Sequence, residues 1–135
     1  MIGIIVISHG NFADELISAV NFVLSSKQPA IKMVGMNLDT SIDFDAFKKE
    51  LKRTIKKVDK GNGVLLVTDM FGGTPSNISL TFLEEDKVEV ISGVNLPMLI
   101  KLATISEDTS LSDSVDIAEK AGRDNIIVAS KLIKK

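Results

Sequence analysis

Ile2-Gly3-Ile4-Ile5-Val6-Ile7-Ser8-His9-Gly10 opens the chain as an unbroken apolar run that ends on a hydroxyl, an imidazole and a glycine. Apolar side chains at consecutive rather than alternate positions suit a strand covered on both faces, the central strand of a parallel sheet. The same pattern returns at Gly63 to Thr68, so these two strands are expected side by side at the sheet centre. Shorter β-rich runs at Ile31 to Met36, Val88 to Ile91 and Asn125 to Ser130 complete the strand candidates. Helical patterns fill the intervals. The first covers Asn11 to Ser25, with Asp14 and Glu15 in the turn where a helix dipole favours acids. A second begins near Ser41, where Thr40-x-x-Asp43 resembles a capping box. Pro75 starts a third that runs to Leu83, Pro97 to Thr104 forms a fourth, and Leu111 to Ala121 a fifth that Gly122 stops. Alternation of strands and helices predicts an α/β fold, a doubly wound, mostly parallel sheet in a three-layer single domain spanning residues 1–135.

The chain has 135 residues, 44% of them hydrophobic and 25% charged, with a net charge of −2, the balance of a globular protein and a poor match for nucleic acid. Lys48, Lys49, Lys52, Arg53, Lys56 and Lys57 interleave with Phe44, Phe47, Leu51, Ile55 and Val58 at helical spacing, which reads as a solvated helix face. Without cysteine there is no disulfide framework, redox pair or thiolate metal site, and the cytoplasm is the expected compartment. The N-terminal apolar run is too short for a membrane span.

In a parallel sheet the carboxyl ends of the strands lie on one edge, where ligands bind. Three loops therefore converge there: Ser8-His9-Gly10, then Thr68-Asp69-Met70-Phe71-Gly72-Gly73-Thr74-Pro75-Ser76-Asn77, then Ser92-Gly93-Val94-Asn95-Leu96-Pro97-Met98. His9 is the one histidine of the chain. Asp69 at the end of a buried strand needs a partner, because an unpaired carboxylate there would be costly. If the two central strands are adjacent that partner is His9: a carboxylate accepting from Nδ1–H fixes the tautomer and leaves Nε2 as nucleophile. Gly72 and Gly73 precede a helix start, so their N–H groups, with Gly10, Thr74, Ser76 and Asn77, are candidates to cradle a phosphate; glycine pairs also simply make turns. Leu96 and Met98 read as core at the start of a helix, with an apolar docking rim as the alternative. A free imidazole, with a pKa of about 6.5, is largely neutral at pH 7 and nucleophilic, so phosphoryl transfer on histidine without a metal or other cofactor is the chemistry these residues suit.

Rival chemistries fail on inventory. No G-x-x-x-x-G-K-[ST] is present for a nucleotide triphosphate. A histidine phosphatase sets its nucleophile among arginines, and only Arg53 and Arg123 occur here. A receiver-like signalling domain would be phosphorylated on Asp69 but needs an acidic pair after the first strand to hold Mg²⁺, where Ser8-His9 stands. A regulatory or ligand-binding domain that uses the crevice without turnover stays open.

The three motifs, in this order and spacing over essentially the whole chain, resemble the mannose-family enzyme IIA domain of the bacterial sugar phosphotransferase system. That resemblance implies that His9 accepts a phosphoryl group from the phosphocarrier HPr and passes it to a separate IIB protein, with IIC and IID membrane components engaged indirectly and peripheral attachment to the membrane through them. It implies that Asp69 hydrogen-bonds the histidine. It also implies an antiparallel edge strand, Asp124 to Ser130 here, exchanged between the subunits of a homodimer. Phe71 stands where the family often has tryptophan, and no fused IIB domain is expected. The phosphotransfer subunit of dihydroxyacetone kinases is a related branch, ranked lower because Gly93-Val94-Asn95-Leu96-Pro97-Met98 looks like the sugar-transport branch.

Overall fold

The computed structural model describes residues 1–25 and 32–133. Its sheet contains β1 (Gly3–His9), β2 (Met33–Leu38), β3 (Val64–Thr68) and β4 (Val88–Ser92) in the order β2-β1-β3-β4, every pairing parallel. As the two consecutive apolar runs demand, β1 and β3 lie together at the centre, with Ile4 opposite Leu65 and Ile7 opposite Thr68. Alternate residues feed two cores. Ile4, Val6, Leu65 and Val67 pack on one face, under α1 (Phe12–Val23), α4 (Leu96–Ala103) and α5 (Leu111–Asp124). Ile5, Ile7, Val64 and Leu66 pack on the other, with Phe47, Leu51 and Ile55 of α2 (Phe44–Val58) and Ile78 of α3 (Thr74–Leu80). Burying these side chains is the main force holding three layers together, at roughly 25 cal/mol per Å² of apolar surface.

Several element boundaries differ from expectation for local reasons. Asp43 does not close a capping box begun at Thr40; it is itself the cap of α2, its carboxylate accepting from the N–H groups of Asp45 and Ala46. Thr74, one residue before the expected Pro75, opens α3, and the helix ends at Leu80 rather than Leu83. Gly122 does not stop α5. It lies buried inside the helix, where a Cβ would come within 2.9 Å of the Met98 Cε of α4, and its carbonyl accepts from the Asn95 side chain. Glycine is there because two helices touch. Ile31, the expected start of β2, lies outside the described residues.

The expected strand from Asn125 to Ser130, and with it the antiparallel edge, is absent. Residues 126–128 make no strand pairing and lead into a short helix, α6 (Ala129–Leu132). The consecutive β-branched residues Ile126, Ile127 and Val128 cannot make a strand without a partner for their backbone groups. Within one chain this segment pairs with neither sheet edge, and Ile126, Ile127, Val128, Leu132 and Ile133 face outward.

Candidate functional site

The chain leaves β1 for β2 on one side and reaches β3 on the other, so the crevice above the β1 and β3 ends is the topological switch point where open α/β sheets bind ligands. His9 is the last residue of β1, and Asp69 follows the last residue of β3. Gly10, at φ +56°, takes the left-handed conformation that turns the chain from strand toward helix, and its N–H donates to the Leu38 carbonyl.

The Asp69 carboxylate is wholly engaged. Its Oδ2 accepts from the backbone N–H of His9 at 2.9 Å and contacts the imidazole Nδ1 at 2.7 Å, while Oδ1 accepts from the Met70 N–H at 2.9 Å. Burial pushes its pKa up, but the hydrogen bonds from His9 and Met70 together outweigh that and hold it below the ordinary carboxylate value. An ionised carboxylate has no proton to give, so Nδ1 carries the hydrogen of this contact and the Nε2 edge is left to act. The Asp69 side chain is 12% exposed and that of His9 49%, so the carboxylate is tucked in and the imidazole held out toward solvent.

Gly73 closes one side of the ring. A Cβ built there would stand 2.9 Å from Cε1 and 3.5 Å from Nε2 of His9, so only glycine lets the loop backbone approach the imidazole this closely. Gly72, at φ +87°, supplies the bend before it. Thr74 lines the same groove as His9 and Gly10. The amides of Thr74 and Ser76 sit in the first turn of α3, where N–H groups have no intrahelical acceptor. Ser76 is placed otherwise than a free hydroxyl donor: its side chain is buried and its Oγ has no partner. The Asn77 N–H is spent on the Gly73 carbonyl, leaving its exposed side chain available. No group of three or more potential metal ligands occurs among the described residues.

The third loop supports the site from below. Its Gly93 and Val94 N–H groups donate to the Thr68 carbonyl, and Val94 and Met98 are buried in the core, which favours packing over an apolar rim. Sequence reading passed over two supports. The buried Ser8 Oγ accepts from the Ala13 N–H at 2.6 Å, tying the end of β1 to the first turn of α1, and the Thr68 and Ser92 hydroxyls meet at 2.6 Å beneath Asp69. Small hydroxyls ending apolar strands were the available signal. Also missed was the groove of about 440 Å³ beside His9, formed by Leu38, Asp39, Thr40, Ile42 and Phe44 from the β2–α2 connection.

Fold and site together define a class, the parallel α/β domain that presents a carboxylate-oriented histidine at its switch point. The chain belongs to the family described as the PTS system fructose IIA component, whose model matches residues 3–119. It is similar to the fructose-specific EIIA component of Bacillus subtilis, 24% identical across 100% of this chain and 91% of that one. It is also 31% identical to the mannose-specific EIIAB component of Escherichia coli over 93% of its own length, but spans only 38% of that longer protein. Among solved structures, the phosphotransferase system component EIIA from Streptococcus agalactiae superposes with a TM-score of 0.80 at 30% identity, covering 97% of this chain and 99% of that one. The mannose-family resemblance is thereby borne out, and the protein is an EIIA component of the sugar phosphotransferase system.

Proposed function

We propose that this domain carries a phosphoryl group on His9, taking it from phosphorylated HPr and delivering it to a IIB protein. The observation that carries the reading is the 2.7 Å contact between His9 Nδ1 and an Asp69 carboxylate held ionised, with the imidazole half exposed. The Nε2 lone pair attacks phosphorus, the P–N bond to the donor imidazole breaks, and that nitrogen leaves with the electron pair. Phosphohistidine to phosphohistidine is close to balanced in driving force, so positioning and charge stabilisation suffice. The transferred dianion is met by the loop amides of Gly72 and Gly73, the first-turn amides of Thr74 and Ser76 and the Asn77 side chain, while Gly10, whose N–H is spent on the Leu38 carbonyl, contributes the turn beside it rather than a donor. No metal ion or other cofactor enters this scheme. The working form is a cytoplasmic homodimer whose exposed 124–130 segments exchange between subunits, the acceptor is a IIB unit, and IIC and IID engage through it.

Incubation with radiolabelled phospho-HPr tests the core of this. The expected product is one acid-labile, base-stable adduct that disappears in His9→Ala while the circular dichroism spectrum of the variant stays native. An acid-stable adduct, or one retained in His9→Ala, overturns the proposal.

A further inference from the structure

Away from the crevice, charge is distributed very unevenly. Residues 48–60 hold seven cations against Glu50 and Asp59, a net of +5, so the remainder of a chain at −2 overall carries −7. On α2 the cations form two adjacent rows at i, i+4 spacing, Lys48-Lys52-Lys56 and Lys49-Arg53-Lys57, on the side away from the buried Phe47, Leu51 and Ile55. All six are exposed, and only Arg53 has an ion-pair partner, Glu50, among the described residues. Like charges at this spacing destabilise a helix. The helix dipole offsets that for Lys56 and Lys57 in the last turn and leaves the other four without compensation. By contrast, α5 matches opposite charges at the same spacing, Lys120 with Asp124 and Glu119 with Arg123. The two helical layers differ as well: α1, α4 and α5, across the sheet from α2, carry six acids and three cations. The molecule is thus polarised through its sheet, and its α2 face holds a repulsion that counter-charge from outside relieves.

We propose that the outer face of α2 is a docking surface for an anionic lipid bilayer, with its ammonium groups lying against headgroup phosphates. Charge complementarity sets the sign of the occupant, and the make-up of the face sets its kind. The one exposed large apolar residue of α2, Phe44, stands at its N-terminal end, so nothing between the rows anchors a protein partner. Six of the seven cations are lysine, whose strongly hydrated ammonium is depleted from protein interfaces and suits loose attraction to a charged plane. A nucleic acid reaching past the patch meets the −7 remainder, whereas a plane meets one face alone. Because α2 crosses from the end of β2 to the start of β3, its length lies along the sheet. With that face on a membrane, the edge bearing His9 opens sideways, along the bilayer, where protein partners reach it. None of these cations belongs to the phosphoryl chemistry, so the inference stands apart from the role of His9.

Co-sedimentation with phosphatidylcholine vesicles, with and without about a third phosphatidylglycerol, tests this. The wild type should bind the anionic vesicles, leave the neutral ones in solution, and be released at about 1 M salt, where the screening length is about 3 Å. Each cation near such a surface is worth roughly fivefold in affinity, so Lys48→Gln, Lys52→Gln and Lys56→Gln combined should weaken binding by about 10²-fold. Glutamine matches lysine in helix propensity and removes the like-charge pairs, so the urea midpoint of this variant should be no lower than that of the wild type. Lys87→Gln, Lys101→Gln and Lys120→Gln combined, which remove the same charge elsewhere, should change binding by less than about threefold. Absence of wild-type binding to the anionic vesicles overturns the proposal, as does equal binding to the neutral ones or an equal loss in both triple variants. Binding to duplex DNA as tight as to the vesicles, or a need for the α2 lysines in forming the complex with IIB instead, reassigns the face and overturns it too.

Discussion

One carboxylate oxygen of Asp69 holds both the backbone and the ring of His9, so the residue acts on position and on tautomer at once. Asp69→Ala should slow phosphoryl transfer by about 10²-fold, the scale on which lost orientation is felt, while secondary structure persists. Unchanged kinetics would make Asp69 merely structural. Because its folded pKa is depressed, Asp69 contributes stability above the ordinary carboxylate pKa of about 3.9, and that contribution is lost as pH falls through the lower folded value. Chemical denaturation of wild type and Asp69→Ala between pH 7 and pH 2 should accordingly show the gap closing toward acid. The His9–Asp69 pair was legible in the sequence, since an acid ending a buried strand demands a partner and the neighbouring strand offered one. Asp39 and Phe44 were not, because nothing in their spacing says which connection borders His9 until β2 is placed beside β1.

At the scale of elements, the site is held by strand ends and helix starts that share side chains. Ser8 closes β1 and, although five residues upstream of Ala13, caps the turn that opens α1, whose own Asn11 makes no side-chain cap. Removing it in Ser8→Ala should cost about 1 kcal/mol, the usual worth of such a bond, read as a lower urea midpoint with unchanged slope. A shift under half that size would assign the capping to other groups. Strand positions were readable because consecutive apolar residues admit few alternatives, whereas helix ends were misplaced wherever a tertiary contact decided them. Gly122 illustrates this: local rules make it a stop, and only the packing of Met98 against it makes it a helical residue.

At the scale of the molecule, the parallel sheet covered on both faces and the central pairing of β1 with β3 followed from the sequence, while the final segment did not. The last apolar run was expected as a strand, but a strand is a property of a pair, and no partner for it lies among the described residues. Ile126, Ile127, Val128, Leu132 and Ile133 are between 51% and 79% exposed, which the proposed homodimer would relieve. Sedimentation equilibrium should find a dimer for the wild type and a lighter species for Ile127→Asp; a wild-type monomer at the same concentration would overturn the exchange. The three loops, finally, all emerge on one edge of a sheet whose strands are uniformly parallel, and the chain has a single histidine to load. Donor and acceptor under the proposed function then need the same ground, and no complex can hold both. Such a domain is a turnstile: its steady state should obey a double-displacement rate law, with parallel double-reciprocal lines, and excess of either partner should inhibit by occupying the wrong form.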